Sequence, residues 1–244
     1  MSFAEVDCEK CDNYEDYGAC ISCMHSPNLE DNFESSSPEK KVERVKEHRA
    51  KFITSIPKEE VSIEPTPEFM ERLKLAWKFT PTVESENERH YCVYCGKNYL
   101  MSTDQYRMAR IDADCPKEFI DRHLVWDDLE NKLYIRAAKY ETVLSNGQAQ
   151  ELLDKSEGWK ITGIKSSIPF KDIQPSEGDD VKDGKVTLCN IVRLKKFYVN
   201  DVLEIIPDDE LITVTYKGMV DAIRIKALGI DALILPIRYL REGK

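Results

Sequence analysis

The sequence predicts an α+β protein. It should carry a cysteine-clustered amino-terminal arm, central helices with a second cysteine knuckle, and a carboxy-terminal antiparallel β meander closed as a small barrel or sandwich. Three observations predict this. Cysteines fall in C-x2-C pairs at Cys8/Cys11, Cys20/Cys23 and Cys92/Cys95. Apolar residues recur at helical spacing from Val42 to Ile56 and again from Phe69 to Trp77. From Lys185 onward, runs rich in Val, Ile, Leu and Thr alternate with turn-forming pairs such as Pro207-Asp208, Lys217-Gly218 and Leu228-Gly229. The 244 residues therefore divide into an arm (1–37), a two-helix segment (38–81), a knuckle followed by a helix (82–130) and a mostly β domain (131–244).

The arm contains CEKCDNYEDYGACISC, residues 8–23, spaced C-x2-C-x8-C-x2-C. Each C-x2-C turn can place two sulfurs on one ion, and the spacer lets the second turn fold back to complete a tetrahedron. Four thiolates suit Zn²⁺ best, with iron as the rarer occupant, so Cys8, Cys11, Cys20 and Cys23 form a zinc-knuckle site. A segment this short buries little apolar surface, and metal is what would order it. The arm is also acidic. Of the net charge of −10, residues 1–37 carry −8, from nine carboxylates against Lys10 alone. Zinc held by four thiolates adds further negative charge. Such an arm repels phosphate chains and suits a basic protein surface.

The next element begins at Ser37-Pro38-Glu39, a cap followed by proline at the first helical position, and stops at Pro57. PKEEVSIEPTP reads as an extended connector. Thr66-Pro67-Glu68 starts a second helix whose apolar face is Phe69, Met70, Leu73, Ala76 and Trp77, ending near Thr80-Pro81. HYCVYCGKNY, residues 90–99, follows a polar stretch and resembles the first half of a zinc finger of the Cys2His2 kind. Gly96 suits the tight turn, and Tyr91 and Tyr99 can pack beneath it. Met108 stands where the first histidine of such a finger would be, so that family's DNA-reading role does not transfer. A second metal site would combine Cys92, Cys95, Cys115 and His123, with His90 and Cys189 as alternative ligands. Cys189 otherwise reads as a small hydrophobe in an apolar strand.

KEFIDRHLVWDDLE, residues 117–130, is expected to be helical, with Phe119, Ile120, Leu124 and Leu129 buried. On such a helix Cys115 and His123 would lie about 12 Å apart, too far for one ion. KLYIRAA and KYETVLS read as strands, Asn146-Gly147 as a turn, QAQELLDK as a short helix and WKITGI as a strand. KVTLCNIVRLKKFYV, DVLEII, ELITVTYKG, DAIRIKAL and DALILPIRYL complete the expected meander.

Composition excludes several classes. Apolar residues make up 41% and charged residues 33%, as in a soluble globular protein. No run approaches the roughly 20 apolar residues that span a bilayer, and the first residues lack a secretory pattern. The cysteines are therefore expected to be reduced, in a cytoplasmic setting. H-x-E, H-E-x-x-H, Walker, G-x-G-x-x-G and G-x-S-x-G patterns are absent. Asp127-Asp128 and Asp208-Asp209 are paired carboxylates expected to be solvated in turns.

The leading functional expectation is a non-enzymatic zinc-binding regulatory protein. Its acidic arm would contact a basic protein surface and inhibit or modulate a nucleic-acid machine such as RNA polymerase, and so regulate transcription. The first alternative is a nucleic-acid-binding factor using the β domain through RLKKFYV, where Arg193, Lys195, Lys196, Phe197 and Tyr198 interleave charge and aromatic surface. The same lysines would also protect an edge strand. The second alternative is a thiol or metal-dependent enzyme, with Cys92 and Cys95 as its redox pair.

Overall fold

The computed structural model describes residues 38–81, 90–137, 153, 158–173 and 184–237. The four cysteines of the arm, KYETVLS and the Asn146-Gly147 turn lie outside the described residues, as does QAQELLDK apart from Leu153. Two compact units divide at His48, the second running from Arg49 to Lys244.

Helix α1 spans Pro38–Ser55, as the proline start and the Pro57 stop require. Helix α2, Pro67–Trp77, is capped by Thr66, whose side chain accepts from the Phe69 N–H at 3.2 Å. It buries Phe69, Leu73, Ala76 and Trp77, and Met70 packs at the margin. The connector between the helices contributes β1, Lys58–Glu60, an edge strand.

Among the described residues twelve further strands follow: β2 (Val93–Cys95), β3 (Tyr99–Thr103), β4 (Arg107–Asp112), β5 (Arg122–Asp127), β6 (Lys132–Arg136), β7 (Trp159–Ile164), β8 (Phe170–Ile173), β9 (Lys185–Leu188), β10 (Val192–Lys195), β11 (Leu211–Tyr216), β12 (Ile223–Ala227) and β13 (Ile230–Ile234). Helix α3, Lys196–Glu204, lies between β10 and β11. Ten strands form one antiparallel sheet, ordered β1-β6-β5-β2-β3-β4-β13-β12-β11-β7, and β10-β9-β8 form a second, three-stranded sheet.

The expected α+β class holds in its coarse form: a large antiparallel sheet with few helices. The carboxy-terminal strands do not close into a separate barrel or sandwich. β13 pairs with β4, matching Ile230 to Ile111 and Ala232 to Ala109, so that β11–β13 extend the sheet begun by β2–β6. β4 reads RMARID, and its Arg and Met residues give little strand signal; the long-range pairing with β13 makes it a strand.

Alternation sorts the sheet into two faces. Val93, Cys95, Leu100, Ala109, Ile111, Leu124, Ala232, Ile225 and Val214 share the face under α2, where the Ser102 hydroxyl donates to the Ala76 carbonyl. Tyr94, Met101, Met108 and Leu233 lie on the other face and pack with Leu153.

Two expected elements are corrected. KEFIDRHLVWDDLE is not a helix: a single 3-10 turn at Lys117–Phe119 ends where Asp121 takes φ +60, and β5 follows. Leu124, Val125 and Trp126 are buried in succession, as a strand covered on both faces allows. The end of KVTLCNIVRLKKFYV and the start of DVLEII are not strands broken at Asn200-Asp201. Both lie in α3, which buries Tyr198, Val199 and Val202 at helical spacing despite β-branched content that favours strands.

Asp127 and Asp128 are likewise not solvated. Asp127 is buried and accepts the Leu129 and Glu130 N–H groups, closing the β5–β6 turn. Asp128 accepts the Trp77 indole N–H at 3.0 Å and pairs with Arg49 at 3.4 Å. The Arg49 guanidinium also donates to the carbonyls of Trp77, Thr80 and Pro81, tying α1 to the end of α2.

Candidate functional site

The residues expected to form a second metal site fall into two pairs on opposite faces of the sheet. Tyr94 pairs with His123 in the β2–β5 ladder while Cys95 pairs with Arg122, so His123 and Cys95 project to opposite sides. Cys95 instead adjoins Cys115, whose sulfur also lies 3.6 Å from the Tyr99 carbonyl. Cys92 and His123 both adjoin Arg136. A C-x2-C pair that enters a strand sends its sulfurs apart, whereas a knuckle turn makes them converge. Among the described residues no group of three or more His, Cys, Asp or Glu side chains is placed to hold a metal ion.

The surroundings tune these groups differently. Burial pushes the Cys92 thiol up to about 11, against the opposing pull of Arg136. The hydrogen bond with Cys115, together with burial, holds Cys95 protonated. Its partner Cys115 is lowered by that same bond and by the Tyr99 backbone. Burial, and then Arg136, bring His123 down to about 4, so it is neutral at physiological pH. Its Nε2 is buried without a hydrogen-bond partner among the described residues, and its ring packs against Tyr94 at 5.4 Å. The Tyr94 hydroxyl in turn donates to Asp121 at 2.5 Å.

Gly96 has a packing reason visible here. A Cβ at this position would stand 2.5 to 2.9 Å from three atoms of the Tyr99 ring, in the tight hairpin closed by the Gly96 N–H to Tyr99 carbonyl bond. Tyr91 stacks on Phe52 instead, with ring centroids 4.5 Å apart. His90 is buried, and Cys189 sits in a tight turn rather than a strand: Cys189 and Asn190 both take positive φ between β9 and β10.

The basic-aromatic stretch is the one expected contact set that the fold keeps together and partly exposed. Arg193 and Lys195 end β10, and Lys196 and Phe197 open α3. Tyr198 turns inward and is almost fully covered. Its ring meets Phe197 at 4.1 Å and stacks on Tyr106 at 6.2 Å. Tyr106 was not legible in the sequence; it comes from the β3–β4 turn, where Asp104 accepts its backbone N–H. Lys195 Nζ lies 5.4 Å from the Phe197 centroid and 5.9 Å from that of Tyr198.

Beneath these rings sits Arg107, buried, with its guanidinium 5.0 Å from Tyr198 and 5.1 Å from Phe79. It donates to Asp104 and to the Lys78 carbonyl, each at 3.0 Å, and pairs with Asp201 of α3. Lys196 pairs with Asp172. Asp104 and Asp201 are thus both engaged by Arg107.

Fold and site together define an α+β protein built on one large antiparallel sheet, with Tyr106, Phe197 and Tyr198 clustered over Arg107 where the β3–β4 turn meets the start of α3. The sequence matches no family model, and no curated protein matches it. Among solved structures, the chain is similar to sliding clamps. The Helicobacter pylori beta clamp bound to a DNA ligase peptide aligns at 12% identity and a TM-score of 0.45, over 74% of this chain and 68% of the clamp. The same clamp in complex with 3,4-difluorobenzamide gives 13% and 0.47 over the same shares. The DNA polymerase III beta subunit of Thermotoga maritima gives 12% and 0.45, over 75% of this chain and 67% of the subunit. Identity this sparse transfers no site residue to this chain. Among the described residues no helix is long and apolar enough to cross a membrane.

Proposed function

We propose that this chain is a non-enzymatic interaction protein whose acidic arm, ordered by one zinc ion on Cys8, Cys11, Cys20 and Cys23, docks on a basic protein surface. The surface that fits is the nucleic-acid channel of a polymerase such as RNA polymerase, whose activity the arm would inhibit or modulate. The observation that carries this reading is the partition of charge: −8 of the net −10 lies in residues 1–37. A polyanion on a nearly neutral body is steered to cationic surfaces and away from phosphates.

The test uses purified RNA polymerase as the probe and the full chain as ligand. Binding should weaken steeply as salt rises. It should be abolished when Asp7, Glu9, Asp12, Glu15, Asp16, Glu30, Asp31 and Glu34 are changed to Asn or Gln. Zinc content should be one ion per chain and should vanish on deleting residues 1–37. Equal polymerase binding by the neutralised chain, or a purified chain without zinc or iron, would refute the reading.

A further inference from the structure

We infer that Cys95 and Cys115 are a reversible redox pair, dithiol in one state and disulfide in the other, that locks the β2–β3 hairpin to the β4–β5 connection. The two thiols are hydrogen-bonded to each other. The backbone around them brings the same two segments together. The Ala113 N–H donates to the Asn98 carbonyl at 3.1 Å and the Asp121 N–H to the Cys95 carbonyl at 2.8 Å. Residues 113–121 are thereby stapled along the hairpin at both ends. The Tyr99 carbonyl, which accepts the Gly96 N–H at 2.8 Å, also lies 3.6 Å from the Cys115 sulfur. That sulfur is therefore held beside the residue that follows Cys95. Among the described residues no other cysteine shares this placement. Cys92 precedes β2 and adjoins Arg136 on the opposite face, and Cys189 adjoins Tyr216 from the β9–β10 turn.

The pair is graded in access. Cys115 is 8% exposed and Cys95 is fully covered, so Cys115 meets the oxidant and Cys95 resolves it. With so little surface open, the oxidant must be small, and hydrogen peroxide fits. The Cys115 thiolate attacks one peroxide oxygen, the O–O bond breaks, and the departing hydroxide takes up the thiol proton as water. Cys115 is then a sulfenic acid. The Cys95 sulfur, giving up its own proton, attacks the Cys115 sulfur; the S–O bond breaks and a second water leaves. Two thiols thus lose two electrons and two protons to one peroxide, which becomes two waters. A thiol reductant reverses the step by exchange. The disulfide closes a covalent loop through β3 and β4, and the hairpin is then joined to residues 113–121 by more than hydrogen bonds.

The experiment exposes the full chain to hydrogen peroxide, blocks the remaining thiols with N-ethylmaleimide and maps unreduced tryptic peptides by mass spectrometry. Residues 90–97 should be joined to residues 111–117, two hydrogens lighter than the separate thiol peptides, with the maleimide on Cys92. Dithiothreitol before blocking should abolish the joined peptide. Cys95→Ser should stop the reaction at the Cys115 sulfenic acid, trapped by dimedone, and Cys115→Ser should leave Cys95 a thiol. Oxidation should raise the melting temperature of the parent by a step that Cys115→Ser lacks. The joined peptide is read on the parent chain, so the test stands even where a variant fails to fold. The inference fails if no joined peptide forms, if it forms only in urea, or if Cys92 or Cys189 oxidises as readily as Cys115. A melting temperature that the new bond leaves unmoved would overturn the locking role. None of these readouts uses the arm or the polymerase, so the proposed docking of the arm stands or falls separately.

Discussion

Replacing Arg107 with methionine should be among the most damaging single changes in the described fold. The side chain is buried, and its guanidinium serves three acceptors: Asp104, Asp201 and the Lys78 carbonyl. The Asp104 side chain is itself only 8% exposed, so losing the guanidinium leaves a covered carboxylate oxygen without its cation. Breaking a buried pair from one side costs about 3–5 kcal/mol. Asp201 is a third exposed and adds little to that figure. With a urea m-value of about 2 kcal/mol/M, the unfolding midpoint should fall by about 1.5 M or more. Urea unfolding followed by circular dichroism measures this directly. The double change Asp104→Asn with Arg107→Met should recover part of the loss, because it removes the stranded charge. A midpoint within about 0.3 M of the parent, or a double variant weaker than the sum of the singles, would refute the assignment of Arg107 as the buried tie between β4, α2 and α3.

Two further predictions are independent of it. His123 should titrate near pH 4 rather than near 6.5, as followed by its ring proton shifts. Because the unfolded chain takes up this proton first, stability should be complete above pH 6.5, decline as pH falls toward 4 and level off below; His123→Phe should flatten that stretch of the profile. Thr66→Ala removes the cap on the Phe69 N–H and should cost about 1 kcal/mol, read as a melting-temperature drop of a few degrees.

Local signals were legible where the cause was local. Thr66-Pro67-Glu68 announced α2, the apolar spacing of Phe69, Leu73, Ala76 and Trp77 gave its buried face, and Leu228-Gly229 marked the β12–β13 turn, where Gly229 takes φ +69. Misreadings arose where one pattern fits two structures. Phe119, Ile120, Leu124 and Leu129 fit a loose helical period, yet Arg122–Asp127 is a strand covered on both faces and Leu129 is exposed. Tyr198, Val199 and Val202 have strand-like side chains yet face the core from a helix. Spacing groups Cys92, Cys95, Cys115 and His123, but spacing does not say which face of a sheet each side chain will occupy.

By itself the sequence determined the charge partition between arm and body, the starts of α1 and α2, most turns and the basic-aromatic run Arg193–Tyr198, since each depends on residues adjacent in the chain. Only the tertiary structure decided that β13 would join β4 in a ten-stranded sheet, that Cys95 would meet Cys115 while His123 faced away, and that Tyr106 would stand beside Tyr198. The physical reason is common to all three. Strand pairing links residues far apart in sequence through backbone hydrogen bonds that any side chain can make, so partner choice is settled by burial across the whole sheet and leaves little trace in a local pattern.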